Sequence, residues 1–288
     1  MSNVKPDHRF FRWSGFTFMP MKLTRRIVHG PVEGYQFGYS PLPFVPTIPV
    51  YCYYIDGLLI DTAQRHRQRD VLQTLSDKPI RHIALTHHHE DHSGNAFALH
   101  RQHRVPVYAS EETAHRVGAG FSVLPYEEFW FGRIEPCPGI LPLPDILETE
   151  RYQFHSIHTP GHSPDHHVLL EKGEGWLFAG DFYIGNLKIF RRGENFRQHV
   201  ESTRHMLTYE FDTLFCGHNP VLKNGKTALA NKLQYLEDFR GRALELHGRG
   251  LSIPDIRRAM RLRENYLLKA FTYNDVGIDV MIDSAVES

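Results

Sequence analysis

Residues 85–94 read LTHHHEDHSG, and this stretch decides the fold. Five side chains able to bind metals (His87, His88, His89, Asp91 and His92) occupy six consecutive positions, with Glu90 among them. They follow a short apolar run, IRHIALT (80–86), that reads as a β-strand, and a helical pattern resumes after them. His87 and His89 are two residues apart and can point the same way, while His88 points away and is assigned no ligand role. Asp91 and His92 can face a second point nearby. One cation cannot easily take all four side chains from so short a loop; two cations a few ångströms apart can.

A metal centre of this kind needs donors from elsewhere in the chain. Three later strand-to-loop junctions each offer one: His162 in HTPGHSPDH after the strand 152–159, Asp181 in AGD after 176–180, and His218 in CGH after 213–217. Every candidate follows a strand, so one sheet edge could present them all on a rigid scaffold. A solvated polar loop would explain residues 87–92 alone, but not the three later junctions.

The rest of the chain fits an α/β protein. VYCYYIDGLLIDT (50–62) reads as a β-hairpin around Asp56-Gly57. A polar helix follows at about 64–76. Ser93 is a candidate N-cap for a helix running to about 103. VPVYAS is a strand and EETAHRV a helix. Residues 119–145 break this rhythm with many aromatics and prolines, which predicts a lid or pocket wall including Phe129, Trp130 and Phe131, or simply an anchor in the core. Strands return at 168–172, 176–180 and 213–217, with a helix at about 195–208. After residue 225 the pattern is helical, and SIPD (252–255) resembles a capping box. The expected organisation is a domain over 1–225 and a helical extension over 226–288.

Composition narrows the function classes. Lys+Arg (33) balance Asp+Glu (33), so no global field points to nucleic acid or an anionic membrane. The arginines near the C-terminus (Arg249, Arg257, Arg258, Arg261, Arg263) read better as a solvated helix face than as a nucleic-acid surface. Cys52, Cys137 and Cys216 form no CxxC pair, which fits a reducing compartment. No apolar run suits a signal peptide or a membrane span, and a cytoplasmic protein is expected.

The combined pattern, with His87, His89, Asp91 and His92 as HxHxDH, then His162, Asp181 and His218 in order, and Asp61 ending the strand LLID, resembles the metallo-β-lactamase superfamily over about residues 20–222. The resemblance implies an αββα sandwich with metals at one sheet edge. It also implies that one metal takes His87, His89 and His162, the other Asp91, His92 and His218, and that Asp181 bridges them. Two divalent ions are expected, zinc foremost, with iron or manganese as alternatives. With neutral imidazoles, two such ions, Asp91, Asp181 and a hydroxide leave about one positive charge, which favours an anionic small-molecule substrate. Asp91 is expected to orient the nucleophile and accept its proton, and Asp61 to hold the ligand loop through hydrogen bonds.

DFYIGNLKIFRR (181–192) should line the pocket, with Tyr183 donating to substrate and Arg191 and Arg192 holding a carboxylate or phosphate. An exposed basic loop is the alternative. Flavodiiron relatives carry Glu where His89 stands, and true β-lactamases generally lack the aspartate at position 181. Glyoxalase II shares the THHHxDH run and a helical extension, but its glutathione-binding residues have no visible counterpart here. The expected activity is therefore a dinuclear metal-dependent hydrolase using a bridging hydroxide to cleave a small ester, thioester or lactone. The alternatives are a phosphodiesterase or nuclease on the same metals and a mononuclear iron persulfide dioxygenase. Amphipathic C-terminal helices could support a homodimer.

Overall fold

The Asp56-Gly57 turn forms as its residues dictate. Val50–Ile55 and Leu58–Ile60 pair antiparallel, with Tyr53 opposite Ile60 and Ile55 opposite Leu58. Asp56 and Gly57 both adopt positive φ, at 45° and 85°. That conformation matches the twist of the flanking strands, and Asp and Gly tolerate it best. The hairpin is the third and fourth strand of a seven-stranded sheet, in a computed structural model that describes residues 12–13, 16–17, 20–42, 48–185 and 189–287. Part of the 181–192 segment read from the sequence lies outside the described residues.

The first sheet runs in chain order: β1 (Met21–His29), β2 (Val32–Ser40), β3 (Val50–Ile55), β4 (Leu58–Ile60), β5 (His82–Ala84), β6 (Val107–Ala109) and β7 (Leu141–Pro142). The first four are antiparallel, and from β4 onward neighbours are parallel. The second sheet contains β8 (Ile146–Glu148), β9 (Gln153–His158), β10 (His167–Glu171), β11 (Trp176–Gly180) and β12 (Thr213–Cys216), in that order. Its pairs are antiparallel except β11 with β12. Strands β9, β11 and β12 therefore run the same way and end at the same edge.

Period-two alternation sorts the side chains into three layers. Tyr53, Ile55, Leu58, Phe154, Leu169, Phe178 and Phe215 fill the space between the sheets. Leu59, Ile83 and Leu85 face outward from the first sheet, against Val71 and Leu75 of α1 (Gln68–Leu75), Leu99 of α3 (Ala96–His103) and Val117 of α4 (Glu111–Ala119); α2 (Glu90–Ser93) lies between α1 and α3 in the chain. Val168, Leu170, Leu177 and Leu214 face outward from the second sheet. A further short helix, α5 (Pro125–Trp130), stands in the irregular 119–145 segment. Met206 of α6 (Phe196–Met206) and Leu229 of α7 (Gly225–Gly248) cover the second sheet. The result is the expected αββα sandwich.

Helices α7, α8 (Ile253–Ala259), α9 (Tyr266–Phe271) and α10 (Ile278–Glu287) follow residue 225. Leu236, Phe239, Ile256, Met281 and Ile282 from this region share a core with Phe190, Phe196 and Val200. Val276–Gly277 also pairs with Phe190–Arg191. No helix among the described residues is long and apolar enough to cross a membrane.

Two local expectations need correction. Ser93 does not cap the helix after the histidine loop: it ends α2, and its hydroxyl donates to the carbonyls of His88 (2.7 Å) and His89 (3.0 Å). Asn95 precedes α3 instead, its amide donating to the carbonyls of Thr62, Ala63 and Gln64. At 252–255 Ser252 is the N-cap and Asp255 the third helical residue, as expected, but the Ser252 hydroxyl donates to the Asp255 carboxylate and accepts no backbone N–H.

Phe178 is fully buried between the sheets and stacks on Phe215 at 4.8 Å. Phe178→Ala is expected to cost about 3–5 kcal/mol, read from urea denaturation. A loss below about 1 kcal/mol, the size of an ordinary surface change, would contradict this layering.

Candidate metal centre

Backbone geometry explains why the HHHEDH loop can serve two points. His89 is extended (φ −52°, ψ 148°), and α2 begins directly after it. In extended chain His87 and His89 share a side and His88 takes the other. The His88 ring lies 2.9 Å from Asp165, whose carboxylate also accepts the His88 N–H (2.9 Å) and the Thr113 hydroxyl (2.6 Å). The single turn of α2 then brings Asp91 and His92 round toward a second position.

The seven donors converge in two groups. One is His87, His89 and His162; the other is Asp91, His92, Asp181 and His218; within each, the donor atoms lie within 4.8 Å of one another. Nε2 of His162 is 2.9 Å from Nδ1 of His89. The Asp181 carboxylate touches both groups: Oδ2 lies 3.5 Å from Nε2 of His162 and 3.2 Å from Nε2 of His218, and Oδ1 lies 3.1 Å from Nε2 of His92. Asp91 Oδ2 is 3.4 Å from Nε2 of His218.

The far side of most rings is anchored. Nδ1 of His92 donates to Asp61 (2.8 Å), Nδ1 of His218 to the Pro49 carbonyl (2.9 Å), and Nδ1 of His162 approaches Glu194 (3.4 Å). Thr86 Oγ1 lies 3.0 Å from Nδ1 of His87. Such partners fix which ring nitrogen is free to bind a metal. Asp61 also accepts from the Thr86 N–H (2.9 Å) and hydroxyl, so one carboxylate ties the end of β4 to the loop after β5. His166 accepts the Asp181 N–H (3.1 Å) and meets Thr159 on its other nitrogen (2.9 Å).

The donor set fits divalent cations. Nε2 of His87 is buried and without a hydrogen-bond partner, and Nε2 of His92 and Oδ1 of Asp181, 3.1 Å apart, form no well-directed hydrogen bond, an arrangement that is costly unless something else satisfies these atoms. Burial, reinforced by neighbouring histidines, holds His87 and His89 well below the usual imidazole range, so both are neutral, as ligands must be. Burial also opposes charge on His92 and His218, but Asp181 and Asp91 outweigh it and draw both well above that range. Cationic ligands would supply the positive charge these carboxylates otherwise draw from imidazolium. Mixed imidazole and carboxylate donors suit zinc, iron or manganese.

Two glycines permit the close approach. A Cβ on Gly217 would stand 2.6 Å from both Asp181 Oδ1 and His92 Cε1. At Gly180 (φ 45°) it would stand 2.6 Å from the Thr86 hydroxyl.

Comparison with known proteins agrees with this geometry. The family described as the metallo-beta-lactamase superfamily matches residues 45–218. This chain belongs to the metallo-beta-lactamase superfamily. A hydroxyacylglutathione hydrolase of Halorhodospira halophila is 31% identical over 176 residues, covering 55% of this chain and 58% of that protein. The lactamase-like protein notP of an Aspergillus species is 29% identical over 194 residues, covering 62% and 52%. The chain thus spans about half the length of the curated relatives it matches. Among solved structures, a beta-lactamase domain protein from Burkholderia ambifaria superposes with a TM-score of 0.62 at 17% identity, over 91% of this chain and 88% of that one. A metallo-beta-lactamase family protein from Thermus thermophilus gives 0.59 at 21% identity, over 75% and 82%. At such identities the likeness is one of fold.

In this superfamily member the donors open onto a cleft of about 400 Å³. His89, Asp91, His162, Asp181 and His218 lie on its floor, and Tyr126, Phe131, Ile184, Ile189 and Phe190 form much of its wall. Of the three residues expected to bind substrate, only Arg191 lines the cleft. Tyr183 packs in the core beneath the second sheet, with the Lys232 ammonium 5.8 Å from its ring centre, and does not line the cleft. Arg192 donates to the Asn274 carbonyl (3.0 Å) and faces separate surface hollows. Arg191 does line the cleft, but its guanidinium is paired with Glu127, with Asp275 (3.3 Å) and with Glu90 (3.8 Å). Phe131 is a wall residue, as expected; Phe129 and Trp130 pack on Phe271 instead.

Sequence reasoning missed Asp165, Glu194, Glu127 and Asp275. Asp165 stands in the HTPGHSPDH stretch beside His162 and the others in no motif, but each meets its partner through tertiary contact. Glu90, enclosed in the HHHEDH run, has no role that its sequence position alone suggests; burial pushes its carboxyl up to about 8.

Gly217→Ala is expected to lower the metal content of the purified protein, by elemental analysis, while leaving far-ultraviolet circular dichroism near that of the parent. Unchanged metal content would contradict the crowding at this position. Acid should act through Asp165. Burial opposes ionisation of this residue, but His88, Thr113 and Ser163 outweigh it and hold the carboxyl well below the ordinary range. A depressed folded-state pKa stabilises the protein above the unfolded value of about 3.9, and the contribution fades as the pH falls below it. The stability deficit of metal-stripped Asp165→Asn should therefore be full near neutrality and shrink below about pH 4. A deficit independent of pH in urea titrations would contradict it.

Proposed function

We propose that this protein is a dinuclear metal-dependent hydrolase of a small ester, thioester or lactone. The observation that carries the reading is the Asp181 carboxylate, within 3.5 Å of imidazole nitrogens from both donor groups. His87, His89 and His162 would hold one ion, and Asp91, His92 and His218 the other, with Asp181 shared. When bound, such a pair supplies a water of lowered pKa and a positive anchor for the electrophile's oxygen. Zinc is the first candidate and iron or manganese the alternatives. The names of the hydroxyacylglutathione hydrolase relatives support ester-type chemistry.

The protein's own residues have distinct tasks in this reading. Asp91 Oδ2, on the cleft floor, orients the attacking water and takes up its proton. Its carboxyl is held below the usual range: burial opposes this, but His92 and His218 outweigh it. Asp61 keeps Nε2 of His92 free by holding Nδ1, and also pins Thr86 at the start of the loop. The His166 ring fixes the backbone of Asp181. Apolar walls flank the reacting groups, and the cleft's volume suits a small molecule.

The test joins elemental analysis to a screen of thioesters, lactones, p-nitrophenyl esters and bis-p-nitrophenyl phosphate. Two metals per chain with turnover of an ester-type substrate is the expected result. Asp181→Ala should lower both metal content and turnover, the latter by at least about 100-fold, the upper end of what losing an outer partner costs. One iron per chain with oxygen consumption, or turnover of the phosphodiester alone, would overturn the reading.

A further inference from the structure

A hydrolase substrate has a non-reacting portion as well as a scissile bond, and the cleft wall bears on the chemistry of that portion, an inference that rests on the hydrolase reading. Among the described residues that line the cleft, Arg191 is the only lysine or arginine. Its charge is already engaged. Glu127 from α5 pairs with it directly, Asp275 from the segment before Val276–Gly277 lies at 3.3 Å, and Glu90 from α2 lies at 3.8 Å. The Tyr126 hydroxyl donates to Asp275 (2.6 Å) and lies 3.1 Å from Glu127, which fixes the carboxylates around the guanidinium. Glu127 is further held by the Leu124 N–H (2.6 Å). Glu127 and Asp275 alone set two carboxylates against that one cation. Glu194, also on the wall, faces His162 and accepts the Arg191 N–H (2.8 Å).

Away from the metal ligands, an entering carboxylate or phosphate would meet, among the described lining residues, acidic oxygens and no free guanidinium. Like charges juxtaposed in a desolvated site cost several-fold to many-fold in affinity. The remaining lining is apolar: Ile48, Phe131, Ile184, Ile189, Phe190 and Val276. We propose that the cleft takes an ester, thioester or lactone whose acyl portion is uncharged and apolar, and that it discriminates against acyl groups ending in an anion. The Arg191 cluster sets this specificity by occupying the one lysine or arginine among the described wall residues.

Matched ketones, which cannot be hydrolysed, test the idea apart from turnover. 2-Octanone and 7-oxooctanoate differ only in a terminal methyl or carboxylate. Calorimetric titration of the metal-loaded protein should show 2-octanone binding at least about ten-fold more tightly. Equal or tighter binding of 7-oxooctanoate, or binding of neither, overturns the proposal. Glu127→Gln should release part of the Arg191 charge and narrow the ratio, and Asp275→Asn should do so where the first variant fails to fold. A folded variant with an unchanged ratio overturns the role given to the cluster. In parallel, p-nitrophenyl hexanoate should be hydrolysed faster than the p-nitrophenyl half-ester of adipic acid, which has the same chain length. If the ketones bind in the expected order while no ester is turned over, the specificity of the cleft is supported and the hydrolase reading fails.

Discussion

The register between the two sheets is the constraint on which the rest of the structure depends. The first sheet supplies the loop with His87, His89, Asp91 and His92; the second supplies His162, Asp181 and His218. Neither sheet holds a complete set of donors for either position. Hydrogen bonds across the gap fix how they meet: Tyr51 N–H to the Gly217 carbonyl (2.7 Å), the Tyr53 hydroxyl to the Cys216 carbonyl (2.6 Å), and His167 N–H to the Thr86 carbonyl (2.8 Å). All three lie beside the metal-binding edge. Side-chain period is two, so a one-residue slip would turn Phe178 out of the core and carry Asp181 away from His92. Packing of Phe154, Phe178 and Phe215 against Tyr53 penalises that slip through lost burial.

Charge is the second constraint. Asp61, Asp91 and Asp181 crowd an almost fully buried volume with five imidazoles. Without cations, the carboxylates draw protons onto His92 and His218, while His87 and His89 stay neutral. The two groups of donors are therefore electrostatically unlike before any metal enters. A buried site with unpaired donor atoms and excess negative charge stabilises cations by the same terms that would otherwise destabilise the fold.

Much of this was legible in the sequence because it is local. The Asp56-Gly57 hairpin, the alternation of strands and helices and the placing of donors in the segments that follow strands depend on short-range pattern. The family resemblance supplied the pairing of donors into two groups. What could not be read depends on contacts between distant segments. Asp165 meets His88 across 77 positions, and Arg191 meets Glu127 and Asp275 across 64 and 84. Arg191 therefore looked like a free anion receptor, and Tyr183 like a pocket residue, until the carboxylates and the core around them were placed. Ser93 had the right residue type for a cap, but it closes α2 instead of preceding α3, and there its hydroxyl donates to the carbonyls of His88 and His89. Phe129 and Trp130 were read as wall residues from their position in the aromatic segment, but α9 lies within reach and Phe271 takes them.

The most direct test of the account is anomalous X-ray diffraction from crystals of the purified protein, at the absorption edge of the metal it carries. The account predicts two peaks about 3.5–4 Å apart, one among His87, His89 and His162, the other among Asp91, His92 and His218, with Asp181 touching both. A single peak, or metal bound away from these seven side chains, would contradict it.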